Sequence, residues 1–227
     1  MGVHGARGLG SNGELLPYEF VARLRGPPVV DTTHPEWTQS LRLFTAFEVP
    51  ERQKLSIEKA LQSLRLALPN ARWSKRSNWH LTLKFLGGVG AAQRDEVISV
   101  CRSCAESSRA GGLALGDVGA FPSLRRAQVL WISVNDPASL AIDLASRLEY
   151  ELTSIGIPRE TRSYRPHLTV ARLATPRNIA DVVADHGPYE VATDPFHVSE
   201  LLLVRSHLER TGSTYEVIER FPLIIDR

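Results

Sequence analysis

Two short segments carry residue types that could do chemistry together: His80-Leu81-Thr82-Leu83 and His167-Leu168-Thr169-Val170. Each sits in an apolar run that reads as a strand. Alternate side chains of a strand share a face, so each copy offers one imidazole and one hydroxyl side by side, with leucine turned the other way. A single His-x-Thr is most often an edge histidine beside a residue suited to strands. Here both copies follow a polar, arginine-containing approach, Lys75-Arg76-Ser77-Asn78 and Arg162-Ser163-Tyr164-Arg165-Pro166, and the repetition points to a paired site. Two imidazoles can serve as base and acid near neutral pH, and two hydroxyls can donate to the non-bridging oxygens of a phosphodiester. This scheme requires no metal or other cofactor. Zinc is a poor competitor, because threonine is not a usual ligand and no further His or Cys stands at ligand spacing.

The elements that must position these residues are legible as a mixed series. Alternation over Leu41 to Phe47 predicts a strand. Pro50 opens a predicted helix to about Leu68, with Ile57, Ala60, Leu61, Leu64 and Leu68 as its apolar stripe. The first motif strand runs from about 79 to 86 and is expected to end in a turn at Gly87-Gly88-Val89-Gly90. A helix over about 91–107, strands over 113–120 and 128–134, and a helix over 137–155 follow. The second motif strand is placed at 166–172, then a helix at 177–185 and strands at 188–193, 197–205 and 214–221. Strand hairpins with helices to one side predict an α+β fold whose halves each supply one motif strand. The histidines lie 87 positions apart, room enough for a half-domain repeat. Residues 1–40, rich in Gly and Pro and without sustained periodicity, are expected to be a disordered extension or an artefact of the start, leaving 41–227 as one bilobal catalytic domain.

Composition narrows the class. The 227 residues are 43% hydrophobic, enough to bury a full core. The formal charge of +2 argues against coating long nucleic acid by charge alone and leaves room for recognising one phosphate or one RNA end. Of 27 basic residues only Lys54, Lys59, Lys75 and Lys84 are lysines. Apolar stretches such as Leu201 to Val204 and Val129 to Val134 are far too short to span a bilayer. Cys101 and Cys104 fall late in a predicted helix with no partner pair elsewhere, which fits reduced thiols in a cytoplasmic protein better than a redox motif.

The motifs resemble the double His-x-Thr/Ser-x signature of the 2H phosphoesterases. More closely, Leu41-Arg42-Leu43-Phe44, Trp79 to Gly87, Phe121-Pro122 through Trp131, and Arg162 to Arg172 resemble the RNA 2′,3′-cyclic phosphodiesterases long named 2′-5′ RNA ligases. The resemblance implies a bilobal protein with a pseudo-two-fold cleft that hydrolyses a terminal 2′,3′-cyclic phosphate to a 2′-phosphate without metal, with 2′-5′ ligation as the reverse. It implies His80 as the acid for the leaving 3′ oxygen and His167 as the base for water, although pseudo-symmetry leaves that order open. Thr82, Thr169 and Arg172 would hold the phosphate. Arg126, Arg162 and Arg165 are candidates for RNA backbone contacts, and Phe44 and Tyr164 for stacking on a base. The expected partner is RNA with a 2′,3′-cyclic end, or a small cyclic nucleotide, met by a monomer. A phosphodiesterase for 2′-5′ oligonucleotides or ADP-ribose cyclic phosphate, or a non-catalytic RNA-end-binding module, are the alternatives.

Overall fold

The apolar run opening at Leu41 forms β1 (Leu41–Glu48), and it is buried on both faces rather than one. Leu41, Leu43 and Phe47 enter the main core, whereas Phe44 and Ala46 join Leu202 and Val204 in a small cluster on the opposite face. A central strand covered on both sides needs consecutive apolar residues, which blurs the alternation. In this computed structural model residues 40–187, 191, 194–209 and 212–225 are described. The extension expected over 1–40 and most of the strand expected over 188–193 lie outside them. No helix among the described residues is long and apolar enough to cross a membrane.

The chain continues through α1 (Glu51–Ala60), α2 (Gln62–Ala67), β2 (Arg72–Trp73), β3 (His80–Val89), α3 (Ala91–Glu106), β4 (Gly111–Phe121), β5 (Ala127–Asn135) and α4 (Leu140–Ser154). It ends with β6 (His167–Arg177), α5 (Ala180–His186), β7 (Phe196–Val198), β8 (Glu200–Glu209) and β9 (Gly212–Pro222). The fold is α+β, with two antiparallel sheets ordered β3-β1-β8-β9 and β2-β6-β5-β4-β7. The triplets β3-β1-β8 and β6-β5-β4 match position for position. The third strand of each comes from the other half: β4 follows β3 and α3 yet joins β5 and β6, while β8 follows β6 and α5 yet joins β1. That exchange interlocks the halves around one main core, to which both sheets and α1 through α4 contribute.

Several boundaries differ from the sequence reading. The helix expected from Pro50 to Leu68 is divided at Leu61, which is fully buried. The turn expected at the glycines is strand instead: β3 runs on to Val89, with Gly87 in the left-handed region at φ +74° where β3 skips a residue against β1. At Gly88 a side chain would strike the Ser40 hydroxyl. Strand β6 extends to Arg177, so the following helix starts three residues late, at Ala180. Cys101 and Cys104 are buried free thiols of α3, and burial pushes Cys104 up to about 11, far from the range of a reactive thiolate.

The feature that positions the site is a bulge shared by both motif strands. Against β1, Thr82 pairs with Ala46 but Lys84 with Thr45, so β3 holds one extra residue. Against β5, Thr169 pairs with Trp131 but Ala171 with Leu130, so β6 does too. A bulge breaks the strict alternation of faces. Leu83 and Lys84 are both buried, as are Val170 and Ala171, and the next residues, Phe85 and Arg172, emerge exposed.

Candidate active site

Both imidazoles are anchored alike. Nδ1 of His80 lies 2.7 Å from the carbonyl of Asn78, and Nδ1 of His167 lies 2.7 Å from the carbonyl of Arg165, in each case two residues upstream. A carbonyl can only accept, so Nδ1 carries the hydrogen and Nε2 is the basic, unprotonated nitrogen of the neutral ring. The Thr82 hydroxyl, 2.9 Å from Nε2 of His80, donates to it. Asn78 is itself held, because its side-chain amide donates to the carbonyl of Ser213 at 2.6 Å. The turn Arg76–Asn78 is pinned in addition by Arg76, which pairs with Glu51 at 2.9 Å and Glu58 at 2.8 Å. Thr169 follows His167 at the same spacing and is half-buried like Thr82.

Aromatic rings frame each histidine. Phe44 stacks on His80 with centroids 4.7 Å apart, and Tyr215 meets it edge-on at 5.0 Å. Phe121 and Trp131 stand edge-on to His167 at 4.9 and 6.3 Å. Trp131 lies so close over Gly119 that a side chain there would collide with the indole, so only glycine leaves room for this wall. Burial disfavours the charged imidazole, and no carboxylate accepts from either Nδ1 to offset it. His80 is pushed down to about 4, by burial first and then by the nearby charges of Lys54 and His167 against the support of the Asn78 carbonyl. His167 is also lowered, by burial and then by Arg172, against the Arg165 carbonyl. Both rings are therefore neutral near pH 7 in the free protein, inside a positive field suited to an anion.

The two motif strands meet directly. The Tyr164 hydroxyl donates to the carbonyl of Thr82 at 3.1 Å. Lys84, only 4% exposed, pairs with Glu149 of α4 at 2.7 Å and donates to the carbonyl of Pro158 at 3.1 Å, while the other Glu149 oxygen accepts the amide of Glu160. The segment approaching His167 is thus tied at both ends to the strand carrying His80.

The structure accordingly brings His80, Thr82, His167 and Arg172 together and treats the remaining candidates differently. Phe44 is 2% exposed and backs His80, so the expected stacking on a base gives way to stacking on the imidazole. Tyr164 likewise uses its hydroxyl to join the motif strands and packs its ring on the core instead of presenting a free face. Arg126 and Arg162 are exposed, and Arg162 makes only a loose pair with Glu160 at 3.9 Å. Arg165 is exposed as a side chain and contributes through its carbonyl. Sequence reasoning missed the carbonyls of Asn78 and Arg165, although each standing two residues before a motif histidine was a visible signal. It gave no role to the rings of Phe121 and Tyr215, although Phe121-Pro122 stood among the motifs of the resemblance. Two hollows of about 460 and 240 Å³ contain neither histidine. The larger is lined mainly by apolar and backbone groups, and its one acid, Asp136, accepts the amides of Ala141 and Ile142 at the start of α4, so neither hollow displaces the histidine pair as the site. Among the described residues no group of three or more His, Cys, Asp or Glu is gathered to hold a metal ion.

Two antiparallel sheets, each presenting a histidine and a threonine at matched positions, have the layout of the 2H phosphoesterases. The chain belongs to the 2′-5′ RNA ligase superfamily, whose model matches residues 54–210. The RNA 2′,3′-cyclic phosphodiesterase of Methanothermobacter thermautotrophicus is 31% identical over 186 residues, spanning 81% of this chain and 99% of that one. Its counterpart from Aquifex aeolicus is 27% identical over 179 residues, spanning 78% and 90%. Among solved structures, a Thermus thermophilus protein superposes with a TM-score of 0.70 at 24% identity, over 81% of this chain and 98% of that one. Escherichia coli LigT, complexed with 3′-AMP, superposes with a TM-score of 0.65 at 24% identity, over 82% and 99%. These two share the fold.

Proposed function

We propose that this chain hydrolyses the 2′,3′-cyclic phosphate at an RNA end to a 2′-phosphate, using His80 and His167 as the acid/base pair and no metal. The observation that carries this reading is the identical anchoring of two neutral imidazoles by upstream carbonyls, which leaves two Nε2 atoms for proton transfer. Family membership and the names of the relatives supply the substrate. In the reaction one imidazole takes a proton from water as its oxygen bonds to phosphorus. The bond from phosphorus to O3′ breaks, and the other imidazole, as imidazolium, protonates O3′. Thr82, Thr169 and Arg172 hold the non-bridging oxygens as charge builds on them. Following the family order, His80 is the acid and His167 the base. Because both rings are neutral in the free protein, the bound anion must raise the acid's affinity for its proton. With a 5′-hydroxyl in place of water, the same displacement, with O3′ leaving and taking a proton, would form a 2′-5′ linkage.

The test is incubation with an RNA ending in a 2′,3′-cyclic phosphate in the presence of EDTA, with products separated as 2′- and 3′-phosphates. Release of the 2′-phosphate is expected. Dependence on an added divalent ion would overturn the metal-free scheme, and a 3′-phosphate would reverse the leaving oxygen. No turnover of this RNA, with cleavage of a 2′-5′ oligonucleotide or with binding alone, would replace the reading by one of those activities.

A further inference from the structure

Lys54 is a largely buried lysine that this mechanism leaves unused. It lies in the first turn of α1, its amide donating to the carbonyl of Pro50 at 3.1 Å, just beyond the end of β1 where Glu48 pairs with His80. The residue is 8% exposed, yet its ammonium has no hydrogen bond or ion pair among the described residues. Helix spacing makes Glu51, at i−3, and Glu58, at i+4, its natural partners. Both are taken by Arg76, at 2.9 and 2.8 Å. Glu48, the other acid nearby in sequence, pairs with Arg220 at 3.1 Å. A cation at the end of an otherwise buried stem, with no counter-charge of its own, is a ready partner for an anion that reaches it. Lys54 is also close enough to His80 for its charge to oppose protonation of that ring. The missing anion thus belongs beside His80.

We propose that Lys54 is a phosphate-binding residue, its ammonium pairing with a phosphodiester oxygen of the RNA end on the His80 side of the site. This rests on the phosphodiesterase reading above and adds to it a residue outside both motifs. It also couples binding to proton uptake. In the free protein the groups facing His80 are the Lys54 ammonium from α1 and the titratable His167 ring from β6, with the Asn78 carbonyl upstream, the Tyr215 phenol from β9 and the Phe44 ring from β1. When phosphate neutralises Lys54, the fixed charge opposing the imidazolium is cancelled. His80 then holds its proton at higher pH and can deliver it to the leaving oxygen.

The experiment compares wild type, Lys54→Met and Lys54→Arg in the full chain. Methionine preserves the buried stem without the charge, so Lys54→Met is expected to fold with a melting temperature equal to or above wild type. On a 2′,3′-cyclic mononucleotide and on a dinucleotide with a cyclic end, kcat/KM for Lys54→Met should fall by roughly 10- to 100-fold, with Lys54→Arg retaining most activity. Equal loss on both substrates places Lys54 on the cyclic phosphate, whereas loss confined to the dinucleotide places it on the upstream phosphate. In NMR titrations the His80 ring of free Lys54→Met should titrate at higher pH than in wild type. Inorganic phosphate should raise the wild-type value and bind Lys54→Met about tenfold more weakly or worse. Unchanged kcat/KM on both substrates, or unchanged phosphate affinity, would overturn the proposal. If wild type turns over neither substrate, the phosphodiesterase reading fails by itself, and the phosphate titration still decides the role of Lys54.

Discussion

The two motif strands agree for four residues and diverge at the next two. Through Leu83 and Val170 they present the same imidazole, hydroxyl, buried aliphatic and bulge. At the next position Lys84 enters a buried ion pair with α4, whereas its counterpart Ala171 only fills space in the core. One position further, β3 offers Phe85, 67% exposed and tilted against Phe44 at 5.9 Å, and β6 offers Arg172. What is shared is the device that orients a reactive nitrogen, and it depends on backbone carbonyls and register. What differs lies on side chains beyond the bulge, where a change costs the imidazole geometry nothing. Just beyond the bulge the paired frame thereby acquires a polarity, with an aromatic ring, Phe85, on the His80 strand and a cation, Arg172, on the His167 strand.

The severest test of the shared part is removal of either ring. His80→Ala and His167→Ala should each lose a factor of about 10² to 10⁴ in kcat on the cyclic RNA end, the usual size of general acid or base catalysis. Near-normal turnover by one of the two would mean that the symmetry of anchoring does not reflect shared work. For the part that differs, Arg172→Ala should cost roughly 10- to 100-fold in kcat/KM, the effect of losing a charge-assisted hydrogen bond. Phe85→Ala should cost less than about tenfold and act chiefly on KM. A larger loss at Phe85 than at Arg172 would reverse the polarity assigned here.

The pH dependence sharpens the comparison between the rings. His80 near 4 and a lowered His167 put both limbs of the kcat/KM profile on the acid side of 6.5, with the limb at lower pH set by His80. The same depression bears on stability. The unfolded chain takes up a proton at His80 near pH 6.5 and the folded chain only near 4, so stability is fully present above 6.5 and is lost as pH falls toward 4. The loss is on the order of 3 kcal/mol. In urea melts between about pH 7 and 4, wild type should lose about 3 kcal/mol relative to His80→Leu, and parallel curves would deny that His80 is the buried titrating group. The smallest effect concerns the tie between the strands. Tyr164→Phe removes the donor to the Thr82 carbonyl and should lower stability by about 1 kcal/mol, with a few-fold drop in kcat. A drop as large as that of a histidine variant would make Tyr164 part of the chemistry.

The sequence displays His80, Thr82, His167 and Thr169 openly because a strand converts spacing of two into a shared face without help from the rest of the chain. Arg172 is legible through a resemblance and not through periodicity, since strict alternation puts an odd-numbered shift from His167 on the opposite face. Only the bulge at Val170 breaks that alternation, and a bulge is a property of the pairing with β5. The same limit explains the glycines after Leu86, which read locally as a turn and are strand because β1 is long enough to pair with them. Phe44 and Tyr164 are recognisable as aromatic but not as buried, since whether a ring faces solvent depends on what packs over it. Cys101 and Cys104 read correctly as thiols, because the absence of partners is visible in the chain.

The sequence by itself determined the candidate imidazoles and hydroxyls, their pairing on strand faces and the α+β class, all of which follow from periodicities of a few residues. The tertiary structure alone decided which third strand completes each sheet, that Arg76 rather than Lys54 takes Glu51 and Glu58, and that both imidazoles are held neutral. Those outcomes depend on burial and on charges brought together from distant parts of the chain, and neither the dielectric around a group nor its neighbours across a sheet is written in the residues beside it.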